Sequence, residues 1–536
     1  MPKQKNKSKK IGRLGKNKQM SSSRLEKPID INVNSISRKI GKNWPIILVT
    51  LIAAILFMAN LGNHYLWQDE AQTALIGETI LNHGLPLGYD GKNFFSQEEG
   101  AEYGTNFIWR WHTWLQFYLP AVFFWIFGVN TFAARLPFVL FAIATVPLIY
   151  YFSRFLWKSD RAGLLAAILL TINVPFILLG RQCRYYSLSS FFCLAALYGY
   201  VRILEDKKYS QIIFILSATF LFHSFYVYCA TLLAAILLHC LFFYRSKLFA
   251  VLKASLVILI INVPWIIWFS GINYGSQYPM PFSRSFDLIF SFLYSYTAQI
   301  FTYIFPFFFI LILIAVWIIN CFRQKRFTFP EAELGGKILL LILFVFINVA
   351  LLSFISPASY FRYMAPIIPV FCVMMALILE SSMKIHSVIA IVVLGITLYV
   401  SPMHDYIYEI THDYDGPIKG IVKYLNQHGK KEDVVLITYG DLPLKFYTDM
   451  RIVGGLTGED LSPARNADWV IVRKYLGSHL AKRVDMYIAE NISLEKYEPI
   501  VLNYPDIKYE NREDPAEHHY RTVENEDRVV IFRKIK

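Results

Sequence analysis

The chain has 536 residues, of which 55% are hydrophobic, 16% aromatic and only 17% charged, and its mean hydropathy of +0.40 excludes a soluble globular enzyme and fits a polytopic membrane protein. The formal net charge of +14 is concentrated at one end, because residues 1–43 carry thirteen Lys/Arg against Glu26 and Asp30. All six cysteines (Cys183, Cys193, Cys229, Cys240, Cys321, Cys372) lie in or beside apolar segments without a Cys-x-x-Cys pair, which excludes a disulfide framework or a cysteine metal cluster.

The 1–43 tail is polar and lacks aromatic residues, so it reads as a disordered cytoplasmic tail. Its charge holds the N-terminus inside under the positive-inside rule and is not read as a nucleic-acid site. A first apolar segment follows from Trp44 to Leu61; no small-residue cleavage site succeeds it, which argues against a removed signal peptide. Directly after it stands Asn63-His64-Tyr65-Leu66-Trp67-Gln68-Asp69-Glu70-Ala71. Two adjacent carboxylates at the mouth of a span are costly to hold near hydrocarbon, and Asp69 and Glu70 are therefore the first candidates for chemistry.

Short basic loops recur at Lys158-Ser159-Asp160-Arg161, Glu205-Asp206-Lys207-Lys208, Arg245-Ser246-Lys247, Arg323-Gln324-Lys325-Arg326 and, more weakly, Ser381-Ser382-Met383-Lys384. If all face the cytoplasm, an even number of spans separates each from the next. The stretch 112–128 then cannot be a span. It opens on the aromatic, basic cluster Trp109-Arg110-Trp111-His112-Thr113-Trp114 and reads as a helix lying along the membrane surface. About eleven transmembrane helices result, with residues 44–402 as the membrane domain and the C-terminus outside.

The outer face then gathers loop 62–130, with Asp69, Glu70 and the acids Glu98, Glu99 and Glu102, and loop 270–300, with Tyr274, Tyr278, Arg284 and Asp287. It also gathers the turn Gly180-Arg181-Gln182-Cys183-Arg184-Tyr185-Tyr186, the turn Ser359-Tyr360-Phe361-Arg362-Tyr363, and Arg135 at the end of a span. Residues 403–536 form a soluble α/β domain on the same side. An amphipathic helix is predicted over Gly416–Gly429, strands at Asp433–Thr438, Trp469–Val472 and Arg528–Phe532, and a helix near His479–Glu490.

Acids and arginines converging on one face suit a phosphate-bearing lipid substrate. Guanidinium forks bind phosphate oxygens bidentately, and a nearby carboxylate can take a proton from a hydroxyl. Arg135, Arg181, Arg184 and Arg362 are the candidate phosphate ligands. Together they fit sugar transfer from a polyprenyl-phosphate donor, in which an acceptor hydroxyl attacks the anomeric carbon and the lipid phosphate departs.

The order Trp67-x-Asp69-Glu70-Ala71, then Ile126-Phe127-Gly128-Val129-Asn130-Thr131-Phe132-Ala133-Ala134-Arg135-Leu136-Pro137, resembles the GT-C glycosyltransferases of the protein O-mannosyltransferase and aminoarabinose (lipid A) transferase group. The segments Arg181-x-x-Arg184-Tyr185 and Phe361-Arg362-Tyr363-x-x-Pro366-x-x-Pro369 are similar to that group as well, and the likeness covers about residues 44–400. It implies a GT-C fold, a lipid-phosphate sugar donor, inversion at the anomeric carbon and chemistry on the outer face of the cell membrane. By that likeness Asp69 takes the catalytic carboxylate position, Glu70 its partner, and Arg135 the arginine opening the next span. Many GT-C enzymes place a second acid, often for a metal, where the turn Leu179–Ser187 here carries arginines and no acid. A divalent metal would therefore need Glu98, Glu99 or Glu102.

The acceptor class stays open among protein, glycolipid and glycan. A lipid or solute transporter and a polymerase or ligase using a lipid-pyrophosphate glycan are the competing classes, and a large separation of Asp69 from Arg135 would favour them.

Overall fold

A backbone in hydrocarbon must satisfy its N–H and C=O groups within its own segment, so apolar runs of this length fold as helices. The computed structural model describes residues 33–269, 284–324, 332–474, 477–507, 510–511, 513–524 and 526–535. Most of the basic tail, residues 270–283 of the second expected loop, and Lys325 and Arg326 lie outside the described residues. The chain divides into a unit of residues 1–44, described only where its first helix begins, and a unit of residues 45–536 that holds everything else.

In chain order the helices are α1 (Val33–Met58), α2 (Gln68–His83), α3 (Leu115–Phe127), α4 (Thr131–Trp157), α5 (Asp160–Thr171), α6 (Val174–Arg181), α7 (Tyr186–Leu204), α8 (Ser210–Ser224) and α9 (Tyr226–Phe243). They continue as α10 (Leu248–Phe269), α11 (Phe286–Gln299), α12 (Phe308–Gln324), α13 (Ala332–Ile355), α14 (Ile368–Met383), α15 (Ser387–Val400) and α16 (Met403–Thr411). A 3₁₀ segment, Phe361–Ile367, leads into α14.

Among the described residues six helical stretches are long and apolar enough to cross a membrane, or nine if three bent pairs each count once. The expected eleven is reached only by adding the shorter apolar helices Asn43–Met58 and Ser210–Ser224. At 13 residues, α3 rises about 20 Å and is too short to cross. Two expected loops contain helix instead. Residues 286–299 are helical because Ser285 caps the first turn by accepting from Leu288 N–H at 3.3 Å ahead of an apolar run. Residues 68–83 are helical too, so the acidic pair lies in a first turn rather than in a loop.

Burial separates central helices from lipid-facing ones. Within Phe361–Met383, 83% of an 18-residue apolar window is buried in the protein, whereas the corresponding share within Arg245–Trp268 is 22%, and that helix exposes Phe249, Leu256, Ile260 and Ile267. A helix apolar all round yet uncovered by protein is one that faces lipid. At the α7–α8 crossing the backbones nearly touch. A Cβ on Gly199 would sit 2.8 Å from the Phe214 nitrogen, so only glycine permits that approach.

Beyond α16 come α17 (Pro417–His428), β1 (Val434–Ile437), α18 (Asp441–Tyr447), β2 (Arg451–Gly454), β3 (Trp469–Ile471), α19 (His479–Asn491), β4 (Tyr497–Pro505) and β5 (Arg528–Lys534). The five strands order as β2-β1-β3-β5-β4. β1 runs parallel to β2 and β3, with Val435 opposite Ile452 and Trp469, and β5 runs antiparallel to β3 and β4. Alternation along β1 sends Val435 and Ile437 toward Ile418, Ile421 and Leu425 of α17. Leu436 points the other way, toward Val484 and Ile488 of α19. With both faces covered, the short apolar strands are those of a buried α/β sheet.

Candidate active site

Three features of the chain build the site. The first is the start of α2. Trp67 occupies the N-cap in an extended conformation and offers no side-chain cap, so Asp69 and Glu70 in the first turn supply the negative charge that the helix N-terminus favours. The helix ends at Gly84, whose φ of 76° is the left-handed conformation a glycine adopts freely.

The second is the break between α5 and α6. The helices bend by 63° where Asn173 caps α6 by accepting from Phe176 N–H at 2.9 Å and Pro175 cannot continue the preceding helix. The bend delivers Arg181, Gln182, Cys183 and Arg184 beneath the start of α2. The third is the C-terminal domain, which docks on α2 from the other side. Gln68 Nε2 donates to Asp441 Oδ1 at 2.7 Å, Leu66 N–H donates to the Tyr447 hydroxyl at 2.9 Å, and the buried Lys445–Asp441 pair closes at 3.0 Å. Gly455 has to be glycine there, since its φ is +64° and a Cβ would fall 1.9 Å from Asp441 Oδ1.

The two adjacent acids have opposite surroundings. The Glu70 side chain has no exposure and accepts four hydrogen bonds. They come from Arg135 Nε (2.8 Å) and Nη2 (2.6 Å), the Cys183 backbone N–H (2.7 Å) and Asn511 Nδ2 (2.9 Å). The Asp69 side chain retains 13% exposure. Its Oδ1 accepts from Gln97 Nε2 at 3.1 Å, its Oδ2 accepts from Arg362 Nη1 at 2.8 Å, and Arg184 Nη2 lies 3.9 Å away.

The four arginines divide in the same way. All five N–H groups of Arg135 are engaged, on Glu70 and on the carbonyls of Leu61, His64 and Tyr65. Arg181 donates to the carbonyls of Phe57, Ala59 and Asn60 and to the Tyr406 hydroxyl. It thereby ties down carbonyls in the last turn of α1 and just after it, which a helix C-terminus leaves without intrahelical partners. Arg184 donates to the Asp69 carbonyl at 3.2 Å and to Thr73 Oγ1 at 2.8 Å. Of the four arginines, Arg362 hydrogen-bonds the Asp69 carboxylate; it lies 4.2 Å from the Tyr360 ring centroid and 3.6 Å from Glu513 Oε1. Arg135 and Arg181 are thus turned into the protein, while Arg184 and Arg362 stay on the Asp69 side.

Several contributors escape a reading of the sequence. Gln97 touches Asp69, and Gln182 accepts from the Trp67 indole N–H while donating to the Asn511 carbonyl at 3.1 Å. Gln182 stands between Arg181 and Arg184, a position that could have flagged it; Asn511 and Glu513 carry no local signal. His112, half-buried beside the site, has its imidazole held well below the usual range by burial and by the Arg184 guanidinium, so it is neutral at ordinary pH.

Glu98, Glu99 and Glu102 do not converge on a metal position. Glu102 accepts from the Ser96 hydroxyl and from Gln97 N–H, with its carboxyl pushed up by burial. Glu99 pairs with His479 at 2.9 Å. Among the described residues, no cluster of three His, Cys, Asp or Glu side chains able to share an ion includes any of these acids.

The fold is that of the GT-C membrane glycosyltransferases. The chain is similar to the solved structure of ArnT from Cupriavidus metallidurans bound to undecaprenyl phosphate, with a TM-score of 0.52 and 12% identity over 91% of this chain and 98% of that one. The apo state of that protein gives 0.53 and 13% over 92% and 98%. Archaeal oligosaccharyltransferase AglB from Archaeoglobus fulgidus, in complex with an inhibitory peptide and a dolichol-phosphate, gives 0.52 and 11% over 86% and 73%. Residues 112–268 match the family model described as Dolichyl-phosphate-mannose-protein mannosyltransferase. Comparison with curated protein sequences gives no match.

Proposed function

We propose that this multi-pass membrane protein transfers a sugar from a polyprenyl-phosphate donor to an acceptor hydroxyl on the extracytoplasmic face, with inversion at the anomeric carbon. The observation that carries the reading is the Asp69 carboxylate, which keeps 13% exposure where Glu70 has none and is bonded by Arg362 at 2.8 Å and approached by Arg184 at 3.9 Å. Asp69 takes the proton of the acceptor hydroxyl, whose oxygen then attacks the anomeric carbon from the face opposite the phosphate. The bond from that carbon to the phosphate oxygen breaks, and the electron pair leaves with the lipid phosphate. Arg362 and Arg184 stabilise the charge that develops there. A phosphate is a weak enough base to leave without a general acid.

Glu70 and Arg135 serve as supports in this reading, holding Asp69 against the Arg181–Arg184 turn. The lipid phosphates named with ArnT and AglB support a polyprenyl-phosphate donor here, with the bilayer presenting it and a protein, glycolipid or glycan as acceptor. Glu70 links Asp69 closely to Arg135, an arrangement a transporter does not require.

The test uses the full chain, purified and reconstituted in nanodiscs, with a panel of polyprenyl-phosphate sugars and a membrane extract as acceptor. Release of free polyprenyl phosphate, with a product of inverted anomeric configuration by NMR, is expected for at least one donor. Lipid movement without bond cleavage, or no release from any donor, would overturn the assignment.

A further inference from the structure

Beside the Glu70–Arg135 pair, three side chains from distant parts of the chain meet in the interior. His64 precedes α2, Glu409 lies on α16, and His518 belongs to the segment between β4 and β5. They are 3%, 4% and 7% exposed, and one ligand atom from each lies within 4.8 Å of the others. His518 Nε2 is 2.7 Å from Glu409 Oε2, and His64 Nε2 is 3.7 Å from Glu409 Oε1. The His64 ring stacks on Tyr414 at 4.0 Å, yet both its ring nitrogens are buried without a hydrogen-bond partner among the described residues. An imidazole left so is costly unless something else engages it.

We propose that His64, Glu409 and His518 form a binding site for a zinc-class transition metal ion that fastens the C-terminal segment to the membrane domain. Two neutral imidazole nitrogens with one carboxylate oxygen are a donor set suited to zinc. At metal–ligand distances of about 2.0–2.1 Å, tetrahedral ligands stand about 3.3–3.5 Å apart. Glu409 presents Oε1 to His64 and Oε2 to His518, so the carboxylate must turn to offer one oxygen to both, and the three ligand atoms, already within 4.8 Å of one another, need draw together by about 1 Å or a little more. Arg135 and Arg181 line the same small cavity. Arg135 is neutralised by Glu70, and Arg181 donates to carbonyl and hydroxyl oxygens while facing the Glu409 carboxylate. Magnesium and calcium prefer oxygen ligands throughout and would find a single carboxylate here.

The consequence is positional. Asn511 donates to Glu70 and precedes His518 in the same segment, so an ion at His518 would fix the strand of chain that completes the Glu70 cradle. The site does not depend on the glycosyltransferase reading, because metal content is measured without any assay of activity.

The full chain, carrying an affinity tag free of histidine and purified without chelators, is analysed by inductively coupled plasma mass spectrometry and titrated with Zn²⁺ alone. One zinc per chain is expected. Glu409→Gln keeps the shape and an acceptor for His518 and should weaken Zn²⁺ binding by at least about tenfold. His518→Ala should abolish binding. His479→Ala, at the exposed His479–Glu99 pair, should leave the metal content unchanged. Wild type substituted with Co²⁺ should show the visible absorption of cobalt held by nitrogen and oxygen ligands, a readout that stands even where a variant fails to fold. Wild type that carries no transition metal and takes up neither Zn²⁺ nor Co²⁺, or Glu409→Gln and His518→Ala proteins that keep full metal content, would overturn the proposal.

Discussion

Replacing Glu70 by Gln separates support from chemistry within the acidic pair. The carboxylate is wholly buried and accepts from Arg135 Nε and Cys183 N–H on Oε1, and from Arg135 Nη2 and Asn511 Nδ2 on Oε2. A Gln amide supplies one oxygen and one NH₂, so in either orientation two donors face a donor. The Arg135 guanidinium also loses its counter-charge. Breaking one partner out of a buried pair costs about 3–5 kcal/mol, a large share of the about 5–15 kcal/mol that holds a typical fold. The Glu70→Gln protein is therefore expected to melt well below wild type, read by tryptophan fluorescence at a fixed scan rate in detergent. Adding Arg135→Gln should recover part of the loss, because removing both partners leaves no uncompensated charge. A Glu70→Gln protein that melts within about 2 °C of wild type while losing transfer would refute the supporting role and make Glu70 a chemical participant.

Asp69→Asn should fold and insert normally but lose about 10²–10⁴-fold in transfer rate; near-normal turnover would remove Asp69 from the mechanism. Arg362→Lys keeps the charge but not the fork, and donor affinity should fall by about 1–3 kcal/mol in a binding assay with a polyprenyl-phosphate sugar, whereas unchanged affinity would place the phosphate elsewhere. Glu510, which accepts from Ile418 N–H at 3.2 Å, has its carboxyl pushed up by burial to about 7, with Arg473 opposing. Its ionisation therefore opposes folding by an amount that is absent below about pH 4.5, grows through the window and is complete above about 7, so Glu510→Gln should stabilise the protein by about 1–3 kcal/mol at pH 8 and not at pH 4; equal effects at both would refute this. A reporter fused after Lys536 should read extracytoplasmic and one inserted near Asp160 cytoplasmic, and an outside reading at Asp160 would make α3 a span.

The membrane class, the helices and the small sheet were legible because each rests on runs of like residues. The acidic pair and the later arginines were legible by type and order. Their orientation was not, because an arginine at a helix end reads the same whether it faces lipid, phosphate or its own chain. Arg181 turns toward α1 only because the α5–α6 break aims it there, and Asn173 with Pro175 encodes that break more quietly than an apolar run would. Strand Arg451–Gly454 is too short to show alternation, and Tyr497–Pro505 contains Pro499 and Pro505, which read as loop. Asn511 reaches Glu70 across 441 positions, a contact no local pattern announces.

The same pair of residue types thus ends in two surroundings because of what the fold places on each side. Glu70 meets the Cys183 amide, a saturated guanidinium and a C-terminal asparagine, so nothing is left over to react. Asp69, one position along the helix, turns to a face where Arg362 is the principal partner. In the proposed reaction a donor phosphate would meet that same guanidinium, so one arginine would stand between the proton acceptor and the leaving group, and a change at Arg362 should move donor affinity and turnover together.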